Sequence, residues 1–114
     1  MDASDEDFAR VIGSAPVPVV IDFWGAWCAP SRQLEPVFEQ MATALAGRAK
    51  LVRVNVEDTP QLVLRYGVQS LPTLLAVHRG RAIARKSGAA QAPEFRDWVE
   101  EALRRSVNAA ATDR

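Results

Sequence analysis

The stretch Val19-Val20-Ile21-Asp22-Phe23-Trp24 constrains this chain more than any other. It is continuously apolar and rich in β-branched residues, the composition of a strand covered on both faces. One acid, Asp22, sits inside it. Desolvation disfavours the charged form of a carboxyl in such a place, so Asp22 is expected to hold its proton to higher pH than usual, which suits a proton acceptor.

The rest of the chain supplies layers for that strand. Ser4 and Asp7 mark a helix start, and Phe8, Val11 and Ile12 give a short helix from about Asp5 to Ile12. Leu34, Val37, Phe38, Met41, Ala42 and Leu45 recur at helical spacing up to Gly47, with a kink expected at Pro36. Leu51 to Val56 alternates as a strand, and Thr59-Pro60 opens a short helix ending at Tyr66 and Gly67. Leu71 to Val77 reads as a further strand, joined through the Arg79-Gly80 turn to Ala82-Ile83-Ala84 as an antiparallel hairpin that ends at Gly88. From about Pro93, the residues Phe95, Trp98, Val99, Ala102 and Leu103 define a last amphipathic helix, with a frayed tail expected from about Ser106. The order is a βαβ unit, a connecting helix, a hairpin and a closing helix. It implies an α/β sandwich: a central mixed β-sheet with helices on both faces.

At 114 residues, with 48% apolar, the chain suits one domain spanning 1–114. Lys and Arg balance Asp and Glu at 14 each, which removes the general electrostatic reason to expect a nucleic-acid or acidic-membrane partner. The acidic start (Asp2, Asp5, Glu6, Asp7) and the basic group Arg79, Arg81, Arg85 and Lys86 read as solvated faces. With a single cysteine no internal disulfide can form, and one cysteine with one distant histidine, His78, builds no metal site. No cofactor is implied. The opening residues lack the basic start and apolar stretch of a signal peptide, and no segment approaches the roughly 20 apolar residues that span a bilayer, so a cytoplasmic monomer is the expectation.

Chemistry concentrates in Trp24-Gly25-Ala26-Trp27-Cys28-Ala29-Pro30-Ser31-Arg32, between the buried strand and the long helix. A helix N-terminus carries unpaired backbone donors and a partial positive charge, which favour thiolate over thiol at Cys28. The thiolate is the attacking species in disulfide exchange. His78, at a turn edge, reads as solvated.

This loop resembles the active-site loop of the thioredoxin family, and the resemblance extends along nearly the whole chain. Asp22 is similar to the family's buried acid, Pro36 to its helix proline, and Arg53 stands where a lysine near that acid is usual. Leu71-Pro72-Thr73 resembles the segment with a cis proline that pairs with bound substrate, and Gly88-Ala89 the small residues lining the peptide groove. The stretches from Val19 to Arg32 and from Arg65 to Thr73 look like the second bacterial thioredoxin class, without its zinc-binding extension. The resemblance implies a thioredoxin fold whose first edge strand is short or missing, since only Met1 to Ala3 are available for it. It also implies catalysis by Cys28, Ser31 in the resolving position, Asp22 and Arg53. Substrate binding falls to Trp27, Ala29, Pro30, Leu71, Pro72, Gly88 and Ala89. The implied partners are disulfide-containing proteins and a thioredoxin reductase as electron donor.

Ser31 departs from the family, which has its second cysteine there. A serine hydroxyl is scarcely ionised at neutral pH and gains no stable product by attacking a mixed disulfide. The expectation is therefore a protein-disulfide oxidoreductase that forms mixed disulfides at Cys28 but does not resolve them. Ser31 is then either an introduced trapping substitution or a natural monothiol variant. Two alternatives remain: a peptide-binding module with a redox tether, and a monothiol disulfide isomerase.

Overall fold

The structure, a computed structural model, describes residues 8, 10, 15–88 and 91–112. Strand β1 (Val19–Trp24) lies inside a four-stranded sheet of order β2-β1-β3-β4, where β2 is Lys50–Asn55, β3 Thr73–His78 and β4 Arg81–Ser87. β1 pairs parallel to β2 and antiparallel to β3, and β3 pairs antiparallel to β4. The sheet is mixed, as the sequence implies.

Three helices accompany it among the described residues: α1 (Ala29–Ala44), α2 (Pro60–Arg65) and α3 (Ala92–Thr112). The unalternating composition of β1 follows from where they sit. Val19, Ile21 and Phe23 pack with Val52, Val54, Leu75 and Val77, covered by Phe8 and by Leu62 of α2. Val20 faces the other way, with Leu51 and Leu74, against Leu34, Phe38 and Met41 of α1 and Phe95 and Val99 of α3. Side chains alternate between faces along a strand, so Asp22 shares the α1/α3 side with Val20. Phe38 and Phe95 join the two helices edge to face, with ring centroids 5.9 Å apart.

Boundaries move by a residue or two from those expected. Leu71 and Pro72 precede β3 rather than belonging to it, because proline has no N–H to give the ladder. β4 runs longer than Ala82–Ala84 and carries an irregularity opposite Ala76 and Val77 that leaves Ile83 unpaired. The hairpin turns at Arg79 and Gly80, with φ of 53° and 80°, the left-handed pair that a two-residue connection between twisted strands requires. α1 continues through Pro36. In α3 the helical backbone passes Ser106 and reaches Thr112. Phe8 and Arg10 are helical; the remainder of the helix expected over Asp5 to Ile12 includes residues outside the described ones, as does the first edge strand expected at Met1 to Ala3.

Phe95 is completely buried and links α3 to both α1 and the sheet. Phe95→Ala is expected to cost about 3–5 kcal/mol in denaturant unfolding. Leu64→Ala, at a position 83% exposed, should change stability by less than about 0.5 kcal/mol in the same assay.

Candidate functional site

Cys28 is the N-cap residue of α1, in extended conformation with φ −102° and ψ 108°. Its backbone is tied at both ends of the turn: its N–H donates to the Gly25 carbonyl at 3.1 Å, and its own carbonyl accepts from Arg32 N–H at 3.2 Å. Pro30 fits here because the first helical turn has no intrahelical acceptor for its missing N–H. The sulfur, half-exposed, lies 3.6 Å from the Leu71 carbonyl oxygen, to which the thiol donates. Trp27, 66% exposed, stands beside it with the exposed residues Ala29 and Pro30.

The Leu71–Pro72 bond is cis. The loop is held from below, where Thr73 Oγ1 donates to the Ser70 carbonyl and Gly88 N–H donates to the Pro72 carbonyl at 2.8 Å. Gly88 has φ 87°, which a side chain would resist. The fold thus links Cys28, Leu71, buried Pro72 and Gly88 through hydrogen bonds from three distant parts of the chain. Ala89, expected in the same groove, lies outside the described residues.

Two of the expected site residues are fully buried. Ser31 is 0% exposed and its hydroxyl has no hydrogen-bond partner. Asp22 is also 0% exposed, and neither of its carboxyl oxygens is hydrogen-bonded. Burial pushes its pKa from 3.8 up to about 7; Arg53 works against that rise and Glu35 adds to it. Asp22 and Arg53 are register partners on β1 and β2, which places both on the α1 side of the sheet. Arg53 Nε comes within 3.8 Å of Asp22 Oδ2, while its Nη1 is 3.3 Å from Glu35 Oε1 and its guanidinium lies over the Trp24 ring at 4.4 Å. The four residues expected in the chemistry therefore divide into a partly exposed Cys28, a fully buried Ser31 and Asp22, and an Arg53 that links Asp22 to the partly exposed Glu35.

Two contributors escape the sequence reading. Gly25 is tight for a side chain: an added Cβ would lie 3.0 Å from Leu71 Cδ1 and 3.1 Å from Trp27 Cε2, so both side chains would have to give by a few tenths of an ångström. Its bareness lets the indole and the proline loop close over the strand end. Glu35 reaches Arg53 from α1, and its spacing of four residues from Ser31 is the signal that puts it on the same helix face. His78, expected to be solvated, is half-buried with Nδ1 enclosed and without a hydrogen bond. Among the described residues, no three His, Cys, Asp or Glu side chains group as metal ligands, and no helix is long and apolar enough to cross a membrane.

A cysteine at the N-cap of the helix that follows a buried central strand, its thiol facing a cis-proline loop, with a buried carboxyl in that strand, defines the thioredoxin-fold class of thiol–disulfide proteins. Residues 1–101 match the family model described as Thioredoxin. The chain is 33% identical to a thioredoxin of Haemophilus influenzae over 86% of its own length and 92% of the relative's. It is 36% identical to a thioredoxin of Rhodospirillum rubrum over 88% and 96%, and 33% identical to thioredoxin 1 of a Nostoc strain over 88% and 94%. The chain belongs to the thioredoxin family, and so to the thiol–disulfide oxidoreductases.

The buried carboxyl has a consequence for stability. Because folding raises Asp22's affinity for a proton, its contribution is fully present below the unfolded value near 3.8 and is lost as pH rises through about 7. Asp22→Asn should remove that loss. Urea unfolding at about pH 8 is expected to show the variant more stable, by on the order of 4 kcal/mol, with the difference closing toward about pH 4.

Proposed function

We propose that this protein performs the capture half of thiol–disulfide exchange on protein substrates. The Cys28 sulfur, as thiolate, attacks one sulfur of a substrate disulfide. A bond forms between Cys28 and that sulfur, the substrate's own sulfur–sulfur bond breaks, and its other sulfur leaves as a thiolate that takes up a proton. Cys28 is oxidised to a mixed disulfide as the released substrate sulfur is reduced.

Completion requires a second thiol. In this chain the position three residues on is Ser31, whose oxygen has neither the acidity nor a stable product to displace the captured sulfur. The mixed disulfide therefore persists until an external thiol attacks it, regenerating Cys28 and leaving with the other sulfur in a disulfide. The single observation that carries this reading is the contrast between a half-exposed Cys28 and a completely buried Ser31 at the head of one helix.

The surroundings support a protein substrate. Trp27 offers an exposed apolar plane beside the sulfur, and Ala29, Pro30, Leu71, Pro72, Gly88 and Ala89 form the proposed groove. An extended peptide laid there would meet backbone groups of the proline loop, whose Leu71 carbonyl already receives the thiol. Asp22 is the proposed proton acceptor and Arg53 its electrostatic partner. A thioredoxin reductase, the cytoplasm and a monomeric single domain over 1–114 complete the proposal.

A second reading is a peptide-binding module in which the tether is incidental. The large exposed face of Trp27 favours it. The two separate in one experiment. Incubation with insulin should yield one two-chain insulin molecule disulfide-linked per protein molecule, visible by mass spectrometry under non-reducing conditions, and Cys28→Ala should form no adduct. Ser31→Cys should convert this single capture into repeated insulin reduction with a dithiol donor. Undiminished partner affinity in Cys28→Ala would favour the binding module, and absence of turnover in Ser31→Cys would count against the exchange reading.

A further inference from the structure

The guanidinium of Arg53 lies among three competitors. Trp24 offers its ring face, Asp22 a buried carboxyl, and Glu35 a carboxylate at the surface end of α1. A hydrogen-bonded ion pair has donor and acceptor within roughly 2.7–3.2 Å, and an arginine beside a buried carboxylate ordinarily closes onto it through two nitrogens. That has not happened here. Asp22 Oδ2 stands 3.8 Å from Nε, and the Nε and Nη2 of Arg53 and both oxygens of Asp22 are all enclosed without hydrogen bonds. The shorter approach, 3.3 Å, is to Glu35.

We propose that Glu35 is a positioning residue: by drawing the Arg53 guanidinium toward itself, it keeps Asp22 from being locked in a salt bridge and leaves the buried carboxyl free to take up and release a proton. The assignment rests on the exchange reading for its purpose, since a proton acceptor behind Cys28 is useful only if sulfur chemistry occurs there. Its geometry does not.

The charges around Asp22 are few. From β2 the facing group is Arg53, and from α1 it is Glu35, with Cys28 at the helix head. The β3 neighbour in register is Leu74, without charge, and the next residue in that row is Lys86 of β4, which is ion-paired with Glu94 of α3. Arg53 is therefore the nearest cation able to hold Asp22 ionised, and Glu35 is the group placed to divert it. Burial raises Asp22's proton affinity, the Arg53 charge lowers it, and the Glu35 charge raises it directly through space, an effect separate from any displacement of Arg53.

Glu35 is partly exposed, with 43% of its side chain in solvent, so replacing it should leave the fold intact. The test is carbon-13 NMR titration of the Asp22 carboxyl in the full chain and in Glu35→Gln, Glu35→Ala and Glu35→Asp. In the Gln and Ala variants the midpoint should fall by about half a pH unit or more as Arg53 turns to Asp22, while Glu35→Asp should stay nearer the parent. An unchanged midpoint in the Gln and Ala variants would overturn the assignment, and so would a fall in Glu35→Asp as large as in Glu35→Gln. A lowered midpoint with an unmoved Arg53 Nε resonance would mean that the Glu35 charge acts only directly and would overturn the positioning role; a lowered midpoint with that resonance shifted supports it even in a protein that captures no disulfide, where the exchange reading alone would fail.

Discussion

β1 is hydrogen-bonded to β2 on one side and β3 on the other, with helices packed above and below, so five of its six residues are removed from water. Every functional side chain takes its place from that enclosure. Alternation along the strand sends Val19, Ile21 and Phe23 to one core and Val20 and Asp22 to the other, and a slip of a single residue would exchange the two sets. The register with β2 then sets Arg53 beside Asp22, and the strand's exit through Gly25 delivers Cys28 to the start of α1. The loop that follows is tied back to the strand's exit, where Cys28 N–H donates to the Gly25 carbonyl.

The same enclosure divides the chemistry by depth. Toward the surface, partly exposed Cys28 stands at the N-cap of α1. The cis-proline loop faces it, and Trp27 extends the apolar ground. Beneath, the Asp22 carboxyl and the Ser31 hydroxyl are fully buried without protein hydrogen bonds, and the Arg53 guanidinium, largely buried, leaves Nε and Nη2 unbonded. Unsatisfied buried polar groups cost stability, typically about 1–3 kcal/mol each, and so are retained chiefly where chemistry needs them. In Asp22 that cost takes a specific form, a proton held to near neutral pH. Ser31 keeps the cost of burying a polar group while lacking the reactivity of a thiol.

Much of this was legible in the residues, for reasons that differ between elements. β1 could be read because burial on two faces leaves an uninterrupted apolar segment, and α1 because its apolar residues recur at helical spacing. The Arg79-Gly80 turn followed from the left-handed backbone a tight hairpin demands. Cys28 and Asp22 stood out as a lone thiol at a helix start and a lone acid in an apolar strand. The edges of elements were less legible: Leu71 and Pro72 have strand-like composition, yet proline's missing donor removes them from β3. Longer-range relations were hidden. Nothing local to Gly25 says that an indole and a leucine will close over it, and nothing local to Glu35 says that an arginine eighteen residues on will reach it across the sheet. Such facts belong to the packing of α1 on β2, which sequence periodicity describes only as a face.

The account rests on Cys28 being a reachable, reactive sulfur while its neighbour at position 31 is sealed. Alkylation by iodoacetamide at neutral pH, followed by intact mass, reads this directly in the folded protein and in denaturant. The structure predicts that the folded chain takes up one carbamidomethyl group without denaturant, since Cys28 is only partly buried. Labelling that occurs only after unfolding would mean that the thiol is buried in the native state, and would contradict the assignment of this site to disulfide exchange.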